Sequence, residues 1–289
     1  MKIKAGYVNG PVHKMIKKKR CKKRANRTQA DPMGLQRLFV SCREVFKGPG
    51  TVPCPNDVQK MCHILDCMTP EDVGLCKDLP FFQRKSHAKG TPRVTYTTIY
   101  QSKNFSLCIF FLPPNGVIPL HNHPGMTVFS KLLLGTVHIK AYDWADPINS
   151  DNSVGPNQPR LAKLKADNVF KAPCDTSVLY PTSGGNIHSF KAITPCAILD
   201  VLGPPYSNED GRDCSYYRDT PCTSLSSKKL VFFLYFDLLL HLTICRLGGE
   251  TTLSNEEGIS YGLLEEIEMP MDSLMDGIEY MGPQVLDSS

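Results

Sequence analysis

The sequence predicts a mainly β fold, a barrel or sandwich of short strands preceded by helices. Three observations carry this. From Val94 onward the apolar pattern changes from helical spacing to alternation, beginning with Val94, Tyr96, Thr98 and Tyr100. The runs that follow are short and separated by turn chemistry, as at Pro113-Pro-Asn-Gly116 and Pro181-Thr-Ser-Gly184-Gly185. At 289 residues and 41% hydrophobic composition, the chain holds enough material for one sizeable domain plus tails, or for two small domains.

The chain opens on charge. Eleven of the 33 Lys and Arg fall in residues 1–27, which hold no acid, so the remaining 22 face 28 acids and the rest sums to −6. This argues against a basic, directly nucleic-acid-binding surface on the folded part. The run Lys17-Lys-Lys-Arg20-Cys-Lys-Lys-Arg24 is a like-charge block within a tail, residues 1–34, that is expected to be disordered. It fits a nuclear-import signal; its alternative is a solvated tail with no receptor. Met1-Lys-Ile-Lys-Ala-Gly lacks an apolar stretch after its basic residues, so no secretory signal is expected there. The twelve cysteines include no C-x-x-C pair, and Cys62-x4-Cys67 matches no zinc-ribbon spacing, so reduced thiols are expected.

Leu35, Leu38, Phe39, Cys42, Val45 and Phe46 recur at helical spacing and predict an amphipathic helix ending before Gly48-Pro-Gly50. A second helix is expected with Val58, Met61, Cys62 and Leu65 on one face, and Thr69-Pro70-Glu71-Asp72 reads as the start of a third, with Thr as cap. These faces are packing surface. Strands are then predicted at Phe105 to Leu112, through His121, at Thr127 to Leu134, Thr136 to Trp144, Leu161 to Val169, Ser177 to Tyr180, Ile187 to Ile193 and Cys196 to Leu202, with 145–159 a polar surface loop.

The chemistry-bearing stretch is Gly116-Val-Ile-Pro-Leu-His121-Asn-His123-Pro-Gly-Met126, answered by Gly185-Asn-Ile-His188. On an extended strand, residues two apart share a face, so His121 and His123 can aim two imidazoles at one point. His188, in its own extended run after a glycine turn, is the natural third ligand. A His-x-His pair alone is weak evidence, and the β-rich runs around both segments strengthen it. His13, His63, His87 and His241 lie outside these motifs, and His138 is expected to point outward with Thr136 and Lys140.

The layout G-x4-H-x-H, Gly135, then P-x-x-G-G-x-x-H resembles the two motifs of cupins, double-stranded β-helix or jelly-roll barrels. The cupin pattern has a Glu where this chain has Val128, which leaves three histidines and no carboxylate ligand. The fuller wording, H-N-H-P-G-M, K-L-L-L-G-T-V-H-I-K-A-Y-D-W, G-G-N-I-H-S-F and D-V-L-G-P-P-Y, is more specific. Over about residues 35–220 it is similar to the plant cysteine oxidases and their relatives, the 2-aminoethanethiol dioxygenases.

The resemblance implies an Fe(II) site on His121, His123 and His188, with Asp200 near the metal to orient water or a substrate amine, and Tyr206 as a donor to bound oxygen or substrate. It also implies a cysteine dioxygenase that places two oxygen atoms on the N-terminal Cys of proteins. Its partners would be O2 and Cys-initiated substrates such as hypoxia-response transcription factors, in an N-degron pathway of the nucleus and cytoplasm. Cys214-Ser-Tyr216 is similar to a cysteine–tyrosine pair that crosslinks in animal relatives, although an unmodified pair is the default. Three neutral imidazoles leave a divalent ion its charge, which favours an anionic ligand such as a thiolate, and an octahedral ion keeps open positions for it. The same set suits zinc hydrolytic chemistry, so the ligands alone leave the metal open between iron and zinc. Rival readings are a small-molecule cysteine or cysteamine dioxygenase and a non-catalytic cupin. A monomer that binds no membrane is expected.

The resemblance breaks after residue 220. Leu230 to Cys245 is a sixteen-residue apolar core within a foreign-looking 228–247 insertion. It is shorter than the ~20 residues a membrane-spanning helix needs and has no clean period. It reads as translated intron sequence and as an aggregation hazard. Residues 248–289 form an acidic segment, with ten acids and no base from Glu250 onward.

Overall fold

The computed structural model describes residues 33–76, 93–145, 159–221 and 260–287. The 228–247 segment, most of the 145–159 loop, and His13, His87 and His241 lie outside the described residues, as does the basic tail except Met33 and Gly34, which already belong to the first helix.

Helices α1 (Met33–Val45) and α2 (Pro55–Cys67) form where helical spacing predicted them. Thr69 to Asp72 does start a third helix, with Thr69 as cap and Pro70 first, but only a short 3-10 one. Thr69 and Asp72 do build a reciprocal capping box, but Gly74 adopts φ +74 and ends the segment after one 3-10 turn, Pro70–Val73. A side chain at Gly74 would also strike the backbone of Gly282, so the turn is fixed by close approach as well as by its dihedral.

Among the described residues twelve strands follow: β1 (Thr95–Gln101), β2 (Ser106–Leu112), β3 (Val117–Asn122), β4 (Thr127–Leu134), β5 (Thr136–Trp144), β6 (Arg160–Lys171), β7 (Ser177–Leu179), β8 (Ile187–Ala192), β9 (Cys196–Gly203), β10 (Tyr216–Pro221), β11 (Tyr261–Ile267) and β12 (Asp276–Gly277). One sheet runs β12-β1-β2-β9-β4-β7. The other runs β10-β11-β6-β5-β8-β3 and closes into a barrel through the pairing of Tyr216 with His121. This is the mainly β, double-stranded β-helix fold that the sequence predicts.

Two faces of the first sheet are buried, which explains why β4 and β9 read as continuous apolar runs. Leu107, Ile109, Phe129, Leu199 and Val201 face α1 and α2, and pack with Leu38, Phe39, Phe46, Met61 and Leu65. Their neighbours Leu112, Leu132 and Ile198 face inward, against Ile118, Val137 and Phe190 of the second sheet. A third cluster, with Leu120, Tyr142, Ile187 and Leu264, fills the rolled second sheet.

The helices are tied to the sheet by a buried cation. Lys131, 4% exposed, donates from Nζ to Asp66 Oδ1 of α2 at 3.0 Å and to the Cys174 carbonyl at 2.6 Å. Asp66 Oδ1 also accepts from the Thr176 backbone and hydroxyl.

The barrel does not end at residue 220. β11 pairs with β10 and β6, and the chain then runs back along β1 to α1, where Gln36 and Leu286 exchange two hydrogen bonds and Arg43 pairs with Asp287. Among the described residues, no helix is long and apolar enough to cross a membrane.

Candidate metal centre

The site is built at the seam of β3 and β8. His121 lies directly opposite His188 in the β3–β8 ladder. The register slips between Ile118 and His121, so one extra residue sits in β3. Because of that bulge both Ile118 and His121 face the inter-sheet space, while Leu120 turns to the other cluster. His123 lies just past β3, and its place is fixed by Asn186. The His123 backbone N–H donates to Asn186 Oδ1 at 3.2 Å, and Asn186 Nδ2 donates back to the His123 carbonyl at 2.8 Å. Asp143 in turn accepts from the backbone of Gly185 and Asn186.

The three predicted histidines come together. All are buried, and one ligand atom from each lies within 4.8 Å of the others. His123 Nε2 and His188 Nε2 are 3.1 Å apart. Hydrogen bonds orient two of the rings. His121 Nδ1 lies 2.8 Å from the Pro119 carbonyl, which can only accept, so Nδ1 carries the proton and Nε2 is free. The Tyr206 hydroxyl donates to the Asn122 carbonyl at 2.7 Å, and its oxygen, 3.0 Å from His123 Nδ1, accepts from that nitrogen. His123 Nε2 is therefore a lone pair too.

Burial lowers the pKa of all three, and the proximity of the rings lowers those of His123 and His188 further, so the set is neutral at pH 7. Converging lone pairs held by second partners fit a divalent ion, since nitrogen ligands at about 2.1 Å and roughly right angles lie about 3 Å apart. Val128, where cupins carry a Glu, is buried with Met126, Leu179 and Leu202 and offers no ligand.

The histidines open into a cavity of about 430 Å³. Asp200 and Tyr206 both line it, as the sequence led us to expect. Asp200, on β9 between Cys108 and Ser130 of the neighbouring strands, is buried, and its Oδ1 has no hydrogen-bond partner. Burial pushes its carboxyl up to about 7, against a smaller opposing effect of a hydrogen bond with Ser130. Tyr206 is pushed well above the usual phenol range, first by burial and then by Cys214, so it stays protonated and able to donate. Cys214 and Tyr216 line the same cavity beside Tyr206.

His138 behaves as expected and points outward, with Nε2 2.6 Å from Asp167. His63 lies on α2, away from the cavity.

Several lining residues escaped the sequence reading. Cys108 sits in a run that reads as uniform core, yet its alternate position turns it into the cavity. Asn186 was legible only as part of a glycine turn, although a polar residue between two glycines and a ligand histidine is a signal for a clamp. Met275 reaches the cavity from the far end of the chain, where no local pattern marks it, whereas Cys214 and Tyr216, the pair singled out in the sequence, line it together.

The model of one family, PCO_ADO, matches residues 64–285. The chain belongs to that family. Plant cysteine oxidase 1 of Arabidopsis thaliana is 46% identical over 259 residues, covering 88% of this chain and 80% of the relative. Plant cysteine oxidase 2 of the same plant is 42% identical, covering 96% and 91%. The 2-aminoethanethiol dioxygenase of Mus musculus is 37% identical, covering 64% and 78%. For a PCO_ADO protein, the buried histidine set is compatible with a metal site, and the match passes through β10 and β11, so the C-terminal strands belong to the family's domain.

Proposed function

We propose that the chain is an Fe(II)-dependent thiol dioxygenase that oxidises the N-terminal cysteine of proteins to cysteine sulfinic acid. The observation that carries this reading is the three neutral, buried histidines converging at the wall of an apolar cavity, in a chain of the PCO_ADO family. His121, His123 and His188 would hold the iron, which would supply the redox chemistry that lets O2 react with a thiolate. The overall change is R–SH plus O2 to R–SO2H. Both oxygen atoms come from O2, and sulfur supplies the electrons that O2 takes up, so no external reductant is needed.

The protein residues divide the remaining work. The Tyr206 hydroxyl holds the His123 tautomer and the strand end that carries it. Asp200 offers an unpartnered carboxylate oxygen to the α-ammonium of the substrate, whose positive charge would draw the carboxyl back to its ionised form. Thr98, Ser106 and Cys108 line the space around it. A cavity of about 430 Å³ is in the range of sites for drug-sized ligands and exceeds what a free cysteine fills, which supports a peptide substrate.

The name of the mouse relative supports a second reading, a small-molecule thiol dioxygenase. Offering the protein a Cys-initiated peptide, free cysteine and cysteamine under air, with mass spectrometry of each, separates the two. A gain of two oxygen atoms on the peptide alone supports the first reading; a gain only on the small thiols refutes it.

We further infer that its targets are transcription factors of the low-oxygen response, whose oxidised N-termini enter the N-degron pathway, and that the basic run at 17–24 directs the protein to the nucleus as well as the cytoplasm. The run's eight residues hold seven Lys or Arg, which supports receptor recognition. Residues 1–34 fused to a fluorescent reporter test this; a diffuse signal would overturn it.

A further inference from the structure

Two cavities meet at the ring of Phe190. One is the histidine cavity, whose lining includes exposed Tyr96 and Gln101. The other, about 30 Å³, lies between the sheets on the far side of the same ring and ends at exposed Asp175 and Ser177. Phe190 lines both, and its ring packs edge-on against the His188 imidazole with centroids 4.6 Å apart. A single aromatic ring thus stands between the small cavity and a histidine of the proposed centre.

The lining of the small cavity is apolar at Leu132, Val137, Ile139, Phe170 and Ile198 and polar at Ser130, Cys174, Asp175 and Ser177. About 30 Å³ is more than the roughly 10–15 Å³ that one water requires, but a water also needs two to four polar partners. The apolar walls supply none, and of the polar residues the Ser177 hydroxyl is bonded to the Ser130 carbonyl at 3.4 Å and Asp175 is exposed. Apolar cavities of this kind stay dry and take up small apolar guests such as xenon. O2 is such a guest, being apolar, diatomic and small. A peptide seated in the large cavity would fill its opening, and a second small reactant then needs another approach.

We propose that the cavity behind Phe190 is a binding site for O2, delivering it to the three-histidine centre from the side opposite the thiol. This rests on the dioxygenase reading. Phe190 stands between the two cavities and is displaced by a side-chain rotation; the aliphatic walls concentrate the gas.

Xenon-pressurised crystals of the full chain test occupancy without reference to turnover. The result expected is a xenon atom between Leu132, Ile139 and Ile198, lost in Ile139→Phe, whose half-buried position tolerates the larger ring. The same variant would raise the KM for O2 several-fold while leaving the KM for the peptide and kcat at saturating O2 unchanged. Ile198→Phe, which fills the space from the opposite sheet, would repeat the pattern. No xenon at this position would overturn the proposal, and so would xenon lost from the variant with an unchanged KM for O2. If the unaltered protein oxidised no thiol, the dioxygenase reading would fail by itself, and xenon occupancy would still decide whether the cavity takes a gas.

Discussion

Tyr206→Phe removes one hydroxyl that holds two groups of the centre. The phenol oxygen lies 2.7 Å from the Asn122 carbonyl and 3.0 Å from His123 Nδ1. Phe keeps the ring, which stacks on His123 with centroids 5.6 Å apart, so packing is conserved and the hydrogen bonds alone are lost. A buried N–H and a buried carbonyl are left without a partner, at about 1–3 kcal/mol in stability for such a group. The larger effect falls on the metal. Without an acceptor at Nδ1 the proton can shift to Nε2, and loss of such a supporting bond lowers metal affinity about 10–100-fold. That corresponds to roughly 1.4–2.8 kcal/mol of binding free energy.

Anaerobic competition of Fe(II) between the protein and a chromophoric chelator at pH 7 measures the affinity, and a thermal melt of the metal-free protein measures stability separately. The account predicts weaker metal binding together with a modest loss of stability. An unchanged Kd for iron, alongside reduced peptide turnover, would refute the reasoning and make Tyr206 a group that acts on substrate only.

Other outcomes follow from the same geometry. Asp200 has its pKa raised by burial to about 7, so the folded state holds its proton more tightly than the unfolded chain and disfavours the carboxylate. The stability of the metal-free protein relative to Asp200→Asn is therefore highest below about pH 4, falls as pH rises, and levels off above about pH 7; urea melts across this range would show a constant difference if the carboxyl were ordinary. The histidines act in the opposite direction, since their lowered pKa values make acidification below about pH 6.5 destabilising. Lys131→Met leaves Asp66 without its cation but still bonded to Thr176, and at 35% exposure the carboxylate is partly hydrated; the cost is about 2 kcal/mol, less than the loss of a fully buried pair, with metal affinity unchanged. Denaturant midpoints check this. Gly135→Ala places a methyl at φ +91 against the Pro195 carbonyl and Cys196, so a loss of stability above about 1 kcal/mol is expected, and an unchanged melting temperature would contradict the close approach.

Where pattern and packing agree, the sequence was easy to read. β4 and β5 occur at the predicted residues because Gly135 is the only break between two β-rich runs and its conformation allows no side chain. The three histidines were legible because spacing on a strand fixes a shared face, even though the true geometry needs a bulge at Ile118 to His121 that no residue announces. The helix start at Thr69 is where the sequence put it, but its length was not legible, because a capping box marks only a beginning and Gly74 ends the segment after a single turn. β10 and β11 went unseen for a different reason. Antiparallel partners that the chain separates by residues 222–260 leave no hairpin signal, and their register is set by tertiary pairing with β3 and β6. Cys108 was read as core because inward and outward faces of β2 are equally apolar, and only the second sheet decides which of them borders the cavity.

The most direct test of the account is oxidation of a Cys-initiated peptide by the full chain, reconstituted anaerobically with Fe(II) and then exposed to isotopically labelled O2. The account predicts sulfinic acid carrying two labelled oxygen atoms, dependent on iron and absent in His188→Ala. A peptide that gains no oxygen with iron bound, or whose added oxygen comes from water, would contradict it.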